Sequence, residues 1–330
     1  MLASGCGGSE PQATRTAASV TEQLPAGRIA FRRYSDAAQS HVTIFTIRTD
    51  GTGERRLTDP PAGSSDDKPD WSPDGKQVVF QHCGENMPCS VWTVPAAGGN
   101  ATKVRVHCRL KGGDCDTSDP SFTPDGRIVL TLSQGSVRTL GGQDQIQESA
   151  IVLVNPRTGH QRTVIALKGW KGDLLAAAMS PDRRTIAYTH ANAVRIEPSA
   201  GKALFTVDVD GRGNRRVAPW ELGGGDGPSF SPTGTILFRS NEDDETQQSD
   251  FWTVRPDGSH LKQLTHFKDG TLVRSASYSP NGDWIVSATD GVGGNADLFA
   301  MHANGTGKVF ITRTELWDSA PDWSPKAVTR

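Results

Sequence analysis

One segment recurs six times along the chain and narrows the choice of architecture more than any other feature. Pro69-Asp70-Trp71-Ser72-Pro73-Asp74-Gly75-Lys76-Gln77-Val78-Val79-Phe80 is followed by Pro120-Ser121-Phe122-Thr123-Pro124-Asp125-Gly126-Arg127-Ile128-Val129-Leu130. The pattern returns, more weakly, at Met179-Ser180-Pro181-Asp182-Arg183-Arg184. It returns again at Phe230-Ser231-Pro232-Thr233-Gly234, at Tyr278-Ser279-Pro280-Asn281-Gly282 and at Pro321-Asp322-Trp323-Ser324-Pro325. The anchoring prolines lie 45 to 57 residues apart. A period of that length marks stacked or radial repeats of one supersecondary unit.

A second element keeps step with the first. Short β-prone runs such as Thr43-Ile44-Phe45-Thr46-Ile47 and Phe251-Trp252-Thr253-Val254 each lead into a glycine turn. The turns include Asp50-Gly51, Gly98-Gly99, Asp210-Gly211, Asp257-Gly258 and Asn304-Gly305. Asp-Gly and Asn-Gly tolerate the positive φ that tight turns require. The unit therefore predicts four antiparallel strands. The first ends at aromatic-Ser-Pro, and the fourth often ends in Leu-Thr, as at Leu57-Thr58 and Leu264-Thr265. Such a unit is a propeller blade. The third copy predicts an inner strand at Leu174–Met179, although its residues are good helix formers. Its alanines suit a crowded axis.

The sixth anchor has no second strand after it, and Gly27-Arg28-Ile29-Ala30-Phe31 is a second strand without an anchor. Joining the two closes a ring of six blades and protects their edges. The expected fold class is all-β: a six-bladed β-propeller with four antiparallel strands per blade, one domain over residues 27–330. The 36 glycines and 20 prolines fit its many turns.

The aromatic-Ser-Pro-Asp-Gly repeat resembles the propeller repeat of the TolB family over about residues 27 to 325. The resemblance implies the fold strongly and a function weakly, because one scaffold hosts many sites. TolB proteins carry an N-terminal α/β domain that residues 1–26 cannot supply, so the likeness is to the propeller half. Membership of a Tol–Pal assembly is not implied by the repeat.

Met1-Leu2-Ala3-Ser4-Gly5-Cys6 resembles the end of a truncated bacterial lipoprotein signal, with Cys6 the acylated residue. Residues 7–26, rich in Gly, Ser, Thr, Ala and Gln, read as a flexible tether. The expected location is extracytoplasmic, membrane-anchored or periplasmic, with the lipid the sole membrane contact. Four further cysteines, Cys83, Cys89, Cys108 and Cys115, fall in two long loops of one blade. An even number in an exported chain suggests disulfides, and Cys83–Cys89 with Cys108–Cys115 is the pairing that closes the shortest loops. The preceding His82 and His107 raise a metal alternative, but no Cys-x-x-Cys spacing supports it.

Loops between second and third strands, and between blades, are long and share one face. Function usually resides in such loops. Candidate binding residues there are Trp170, Trp220, Trp317, His41, His190 and His266. Indoles can hold a sugar or anchor a protein partner, or simply pack between blades. With 35 basic against 37 acidic residues, a nucleic-acid partner is not expected. No Gly-x-Ser-x-Gly elbow, phosphate loop, His-Glu-x-x-His or dinucleotide fingerprint is present. The reading is a non-enzymatic, monomeric, lipid-anchored scaffold without cofactor or metal, binding an envelope protein, peptide or glycan through the long-loop face. Its rival is a metal-dependent, carbohydrate lyase-like propeller enzyme using histidines at the mouth.

Overall fold

A computed structural model describes residues 24–35, 41–85, 87–108, 110, 115–134, 138–140, 143–145, 148–169, 172–191, 201–222, 227–240, 248–267, 271–290 and 295–325. Six four-stranded antiparallel sheets form a ring. Their inner strands are Trp317–Trp323 in the first blade, then Ser65–Trp71, Asp116–Phe122, Asp173–Met179, Ser229–Phe230 and Val273–Tyr278. The first blade closes the ring as expected: C-terminal Trp317–Trp323 pairs with N-terminal Arg28–Tyr34, which pairs with Val42–Arg48. The weak third copy is the inner strand of the fourth blade.

The repeated Ser-Pro-Asp-Gly is a self-contained turn. Ser72 Oγ donates to Asp74 Oδ1 at 2.7 Å and accepts the Gln77 amide at 2.9 Å. The Gly75 amide donates to the Ser72 carbonyl at 2.8 Å, with Gly75 at φ 70°. Ser180 with Asp182, and Ser279 with Asn281, repeat the side-chain bond. Thr123 with Asp125 does so in the third blade. The fourth blade lacks the glycine, and Arg183 takes its place at φ 62°.

The core lies between blades. Phe31 and Ile29 of the first blade pack on Val286 and Leu298 of the sixth. Leu153 and Val164 of the third pack on Tyr188 and Ile186 of the fourth. Trp71 and Trp323, the aromatic residues of the first and sixth copies, are each 4% exposed. The ring closure is also ionic. Arg33 Nε lies 2.6 Å from Asp318 Oδ1, and Arg33 Nη1 lies 2.6 Å from Glu54 Oε1. Asp318 is fully buried.

Two expectations are corrected. Trp317 is not in a loop but opens the inner strand Trp317–Trp323, where it pairs with Tyr34. Ring closure needs that strand at full length, so it absorbs the tryptophan. The long loop between the second and third strands of the third blade is not loop alone, because a hairpin pairs Arg138–Leu140 with Gln143–Gln145.

Candidate functional site

The inner strands surround a central cavity of about 480 Å³. It runs from the level of Lys68, Asp119, Ala176 and Ala320 down to the anchoring prolines of the six repeat copies. This end of the axis is the short-turn mouth. The upper level is built by bulges. Register slips between Asp67 and Asp70, Ser118 and Ser121, and Leu175 and Ala178 push one residue inward in each strand. Lys68, Asp119, Ala176 and Ala320 consequently hold φ of 56, 49, 49 and 50°. Left-handed backbone at non-glycine residues costs on the order of 1–3 kcal/mol each and clusters at functional sites. Pro69, Pro120 and Pro321 follow three of them, although the residue before proline ordinarily avoids the helical regions. The fourth blade contributes Ala176, Ala177 and Ala178 to the lining. The alanines leave that side of the cavity smooth.

The wall carries two acids at the same repeat position. Asp322 accepts the Trp71 amide at 2.7 Å and the Ser277 hydroxyl at 2.7 Å. Asp70 accepts the Phe122 amide at 2.7 Å and the Ser121 hydroxyl at 3.1 Å. The two carboxylates thus tie the sixth, first, second and third blades, each to its neighbour, around the axis. Burial pushes Asp322 up to about 6. Burial, and then repulsion from Asp322, raises Asp70 well above the usual carboxylate range. Higher up, Lys68 Nζ pairs with Asp119 Oδ1 at 2.8 Å. The cavity combines small apolar walls with two acids raised by burial, an environment suited to an extended chain with its own amide donors. Within the repeat these acids look like part of the strand-ending motif, so the sequence does not mark them as site residues. The doubled occurrence of Pro-Asp-Trp, at Asp70 and Asp322, was the available signal.

The residues expected at the long-loop face are spread around the ring. His190 packs edge-on against Phe205 and Trp220, with centroids 5.2 and 5.9 Å away. The Arg216 guanidinium stands 6.0 Å from the Trp220 centroid. Trp317 packs against the first-blade core and lies 4.9 Å from the Arg274 guanidinium. His266 is exposed between the fifth and sixth blades, and His41 precedes the third strand of the first. The structure brings His190 and Trp220 together; His41 and Trp317 belong to the first blade, and His266 lies between the fifth and sixth. Trp170 and Cys6 lie outside the described residues. Disulfides join Cys83 to Cys89 and Cys108 to Cys115. Among the described residues, no three His, Cys, Asp or Glu side chains converge in a way that could hold a metal.

Fold and cavity define a class: a propeller whose repeat motif builds its axial mouth. No protein-family model matches the chain. It is 27% identical over 291 residues to the Tol-Pal system protein TolB of Francisella tularensis subsp. mediasiatica, covering 82% of this chain and 56% of the relative. It is 26% identical over 265 residues to an uncharacterised protein of Agrobacterium fabrum, covering 79% and 75%. The crystal structure of TolB from Acinetobacter baumannii superposes with a TM-score of 0.65 at 19% identity, covering 91% of this chain and 67% of that one. The chain is a TolB-like six-bladed β-propeller. It spans just over half the length of the Francisella TolB it matches.

Proposed function

We propose that this propeller is a non-enzymatic, extracytoplasmic binding scaffold that receives an extended segment of an envelope protein in its axial cavity. The observation that carries this reading is the cavity at the Ser-Pro mouth, lined by strained inner-strand residues and a raised acid pair. Strain of this kind persists where the surrounding structure holds it in place, and sites are where it concentrates. Relatives named as Tol-Pal system proteins support an envelope protein as partner. The two disulfides support an oxidising compartment. Acylation at Cys6 would tether the ring to a membrane through residues 7–26.

The contact is assigned to the short-turn mouth in place of the long-loop face, where Trp220 and Trp317 are already engaged by neighbours. The test is site-specific photo-cross-linking in intact cells. A benzophenone amino acid at Thr233, on a Ser-Pro turn, should capture an envelope protein, and Ala178→Trp, which fills the cavity, should abolish the adduct. Capture from His266 alone, or an adduct indifferent to Ala178→Trp, would overturn the assignment.

A further inference from the structure

A second cavity lies away from the axis, in the crevice between the first and second blades. It measures about 500 Å³, within the range of small-molecule sites. Leu57, Phe80, Trp92 and Val94 make an apolar floor. Polar groups stand at both ends. At one end is His82, whose Nδ1 lies 2.7 Å from Oδ1 of Asp66. Asp66 is 3% exposed and is also hydrogen-bonded by Thr58. Thr58 Oγ1 in turn accepts the Ile44 amide at 3.1 Å. With Nδ1 committed, Nε2 is the imidazole nitrogen that can meet a ligand. At the other end is Asn100, exposed on the turn after Ser90–Pro95.

The floor is held in place. Trp92 sits opposite Phe80 in the sheet register, and its indole N–H donates to Ser90 Oγ at 3.0 Å. Its ring lies 5.4 Å from that of His82. The Cys83–Cys89 bridge closes the hairpin at the residue after His82. The His-Cys pair that resembled half a metal site is therefore an oriented imidazole beside a clamp. The titratable groups of the lining have partners within it. Arg56 Nη2 pairs with Asp59 Oδ1 at 2.5 Å, Arg56 Nε donates to the Thr58 carbonyl, and His82 is on Asp66. The one arginine of the lining is thus paired, and the buried Asp66 is covered by His82 and Thr58.

We propose that this crevice is a binding site for a neutral pyranose, a sugar ring of an uncharged glycan. Such a ring has apolar C–H faces for the Trp92 and Phe80 floor, and hydroxyls at its edge for His82 and Asn100. An anion would lack an unpaired cation here, and a wholly apolar ligand would strip water from both polar ends without replacing it. The site is separate from the axial cavity, so either reading can fail alone.

The experiment is isothermal titration calorimetry of the full chain with N,N′-diacetylchitobiose and with cellobiose, using glucuronate and phenylalanine amide as comparisons. At least one neutral disaccharide should bind. Asn100→Ala, a surface change that leaves the core untouched, should weaken it. Trp92→Phe should weaken it about fivefold, the scale of losing one ring-packing contact. Ala178→Trp, in the other cavity, should leave it unchanged. Absence of binding by both disaccharides, tighter binding of glucuronate or phenylalanine amide, or indifference to Asn100→Ala and Trp92→Phe together would overturn the proposal.

Discussion

The two mouths of this propeller are ends of the same six sheets, yet they put their residues to different uses. At the long-loop end, the conspicuous side chains are spent on one another. Trp220 is packed with His190 and Phe205, Trp317 is drawn into the closing strand, and Asp318 is buried on Arg33. At the Ser-Pro end, bulged backbone, alanines and two acids hydrogen-bonded to neighbouring blades line a cavity. Irregular loops and aromatic residues draw attention in a sequence, and here Trp220 and Trp317 pack within the ring. The regular repeat, which looks like mere scaffolding, builds the open site.

The comparison breaks most visibly at the ring closure. Asp318→Ala leaves the Arg33 guanidinium buried between Glu54 and an empty place. Breaking one partner of a buried pair costs about 3–5 kcal/mol. Denaturant unfolding should show that loss. A loss under about 1 kcal/mol, the scale of an exposed pair, would mean that the long-loop end is not held by this contact.

The disulfide corner comes next. Cys108–Cys115 closes a short loop, and chain entropy assigns such a bridge about 2 kcal/mol. The Cys108→Ser, Cys115→Ser double variant should lose that much in the same unfolding assay while partner capture at Thr233 persists. Loss of capture would link the two ends and undo the contrast between them.

The acid pair sharpens the contrast through pH. The folded-state value of Asp322, about 6, lies above its ordinary value of 3.8. The folded protein therefore holds a proton that the unfolded chain releases, and stability from this group is full below about pH 4 and lost as pH rises through 6. Asp322→Asn has no such loss. Its stability relative to the parent should improve by on the order of 2 kcal/mol between pH 4 and pH 7. A difference that stays flat with pH would show that Asp322 titrates as an ordinary surface acid.

The sequence shows the architecture because a propeller is written in its turns. Each Ser-Pro-Asp-Gly copy carries its own hydrogen bonds, so six copies could be counted and the open ends of the chain matched. Even the alanine-rich strand at Leu174–Met179 was legible from its place in the period. The site was less legible for two physical reasons. A bulge depends on the register of a partner strand fixed elsewhere, so nothing local announces the left-handed Lys68 or Ala320. The pocket at His82 is assembled from Arg56–Pro61 of one blade and Phe80, Trp92 and Asn100 of the next. Sequence adjacency displayed His82 beside Cys83 and concealed Asp66, sixteen positions away and 2.7 Å from the ring.

The smallest expected effect tests whether the repeat turn is as local as its hydrogen bonds imply. In the fourth blade, Arg183 occupies the position where Gly75, Gly126, Gly234 and Gly282 stand in other copies, and it adopts the same sign of φ. A side chain in that region costs roughly 1 kcal/mol relative to glycine. Freeing the unfolded chain with glycine costs back part of that gain. Arg183→Gly should therefore stabilise the protein by less than about 1 kcal/mol, read as a small upward shift of the thermal midpoint. Ser180 Oγ still meets Asp182 and still accepts the Thr185 amide, so nothing else in the turn needs to move. A fall in the midpoint would show that the Arg183 side chain makes a contribution larger than the strain it imposes, and that the Ser-Pro mouth depends on side chains beyond its repeat.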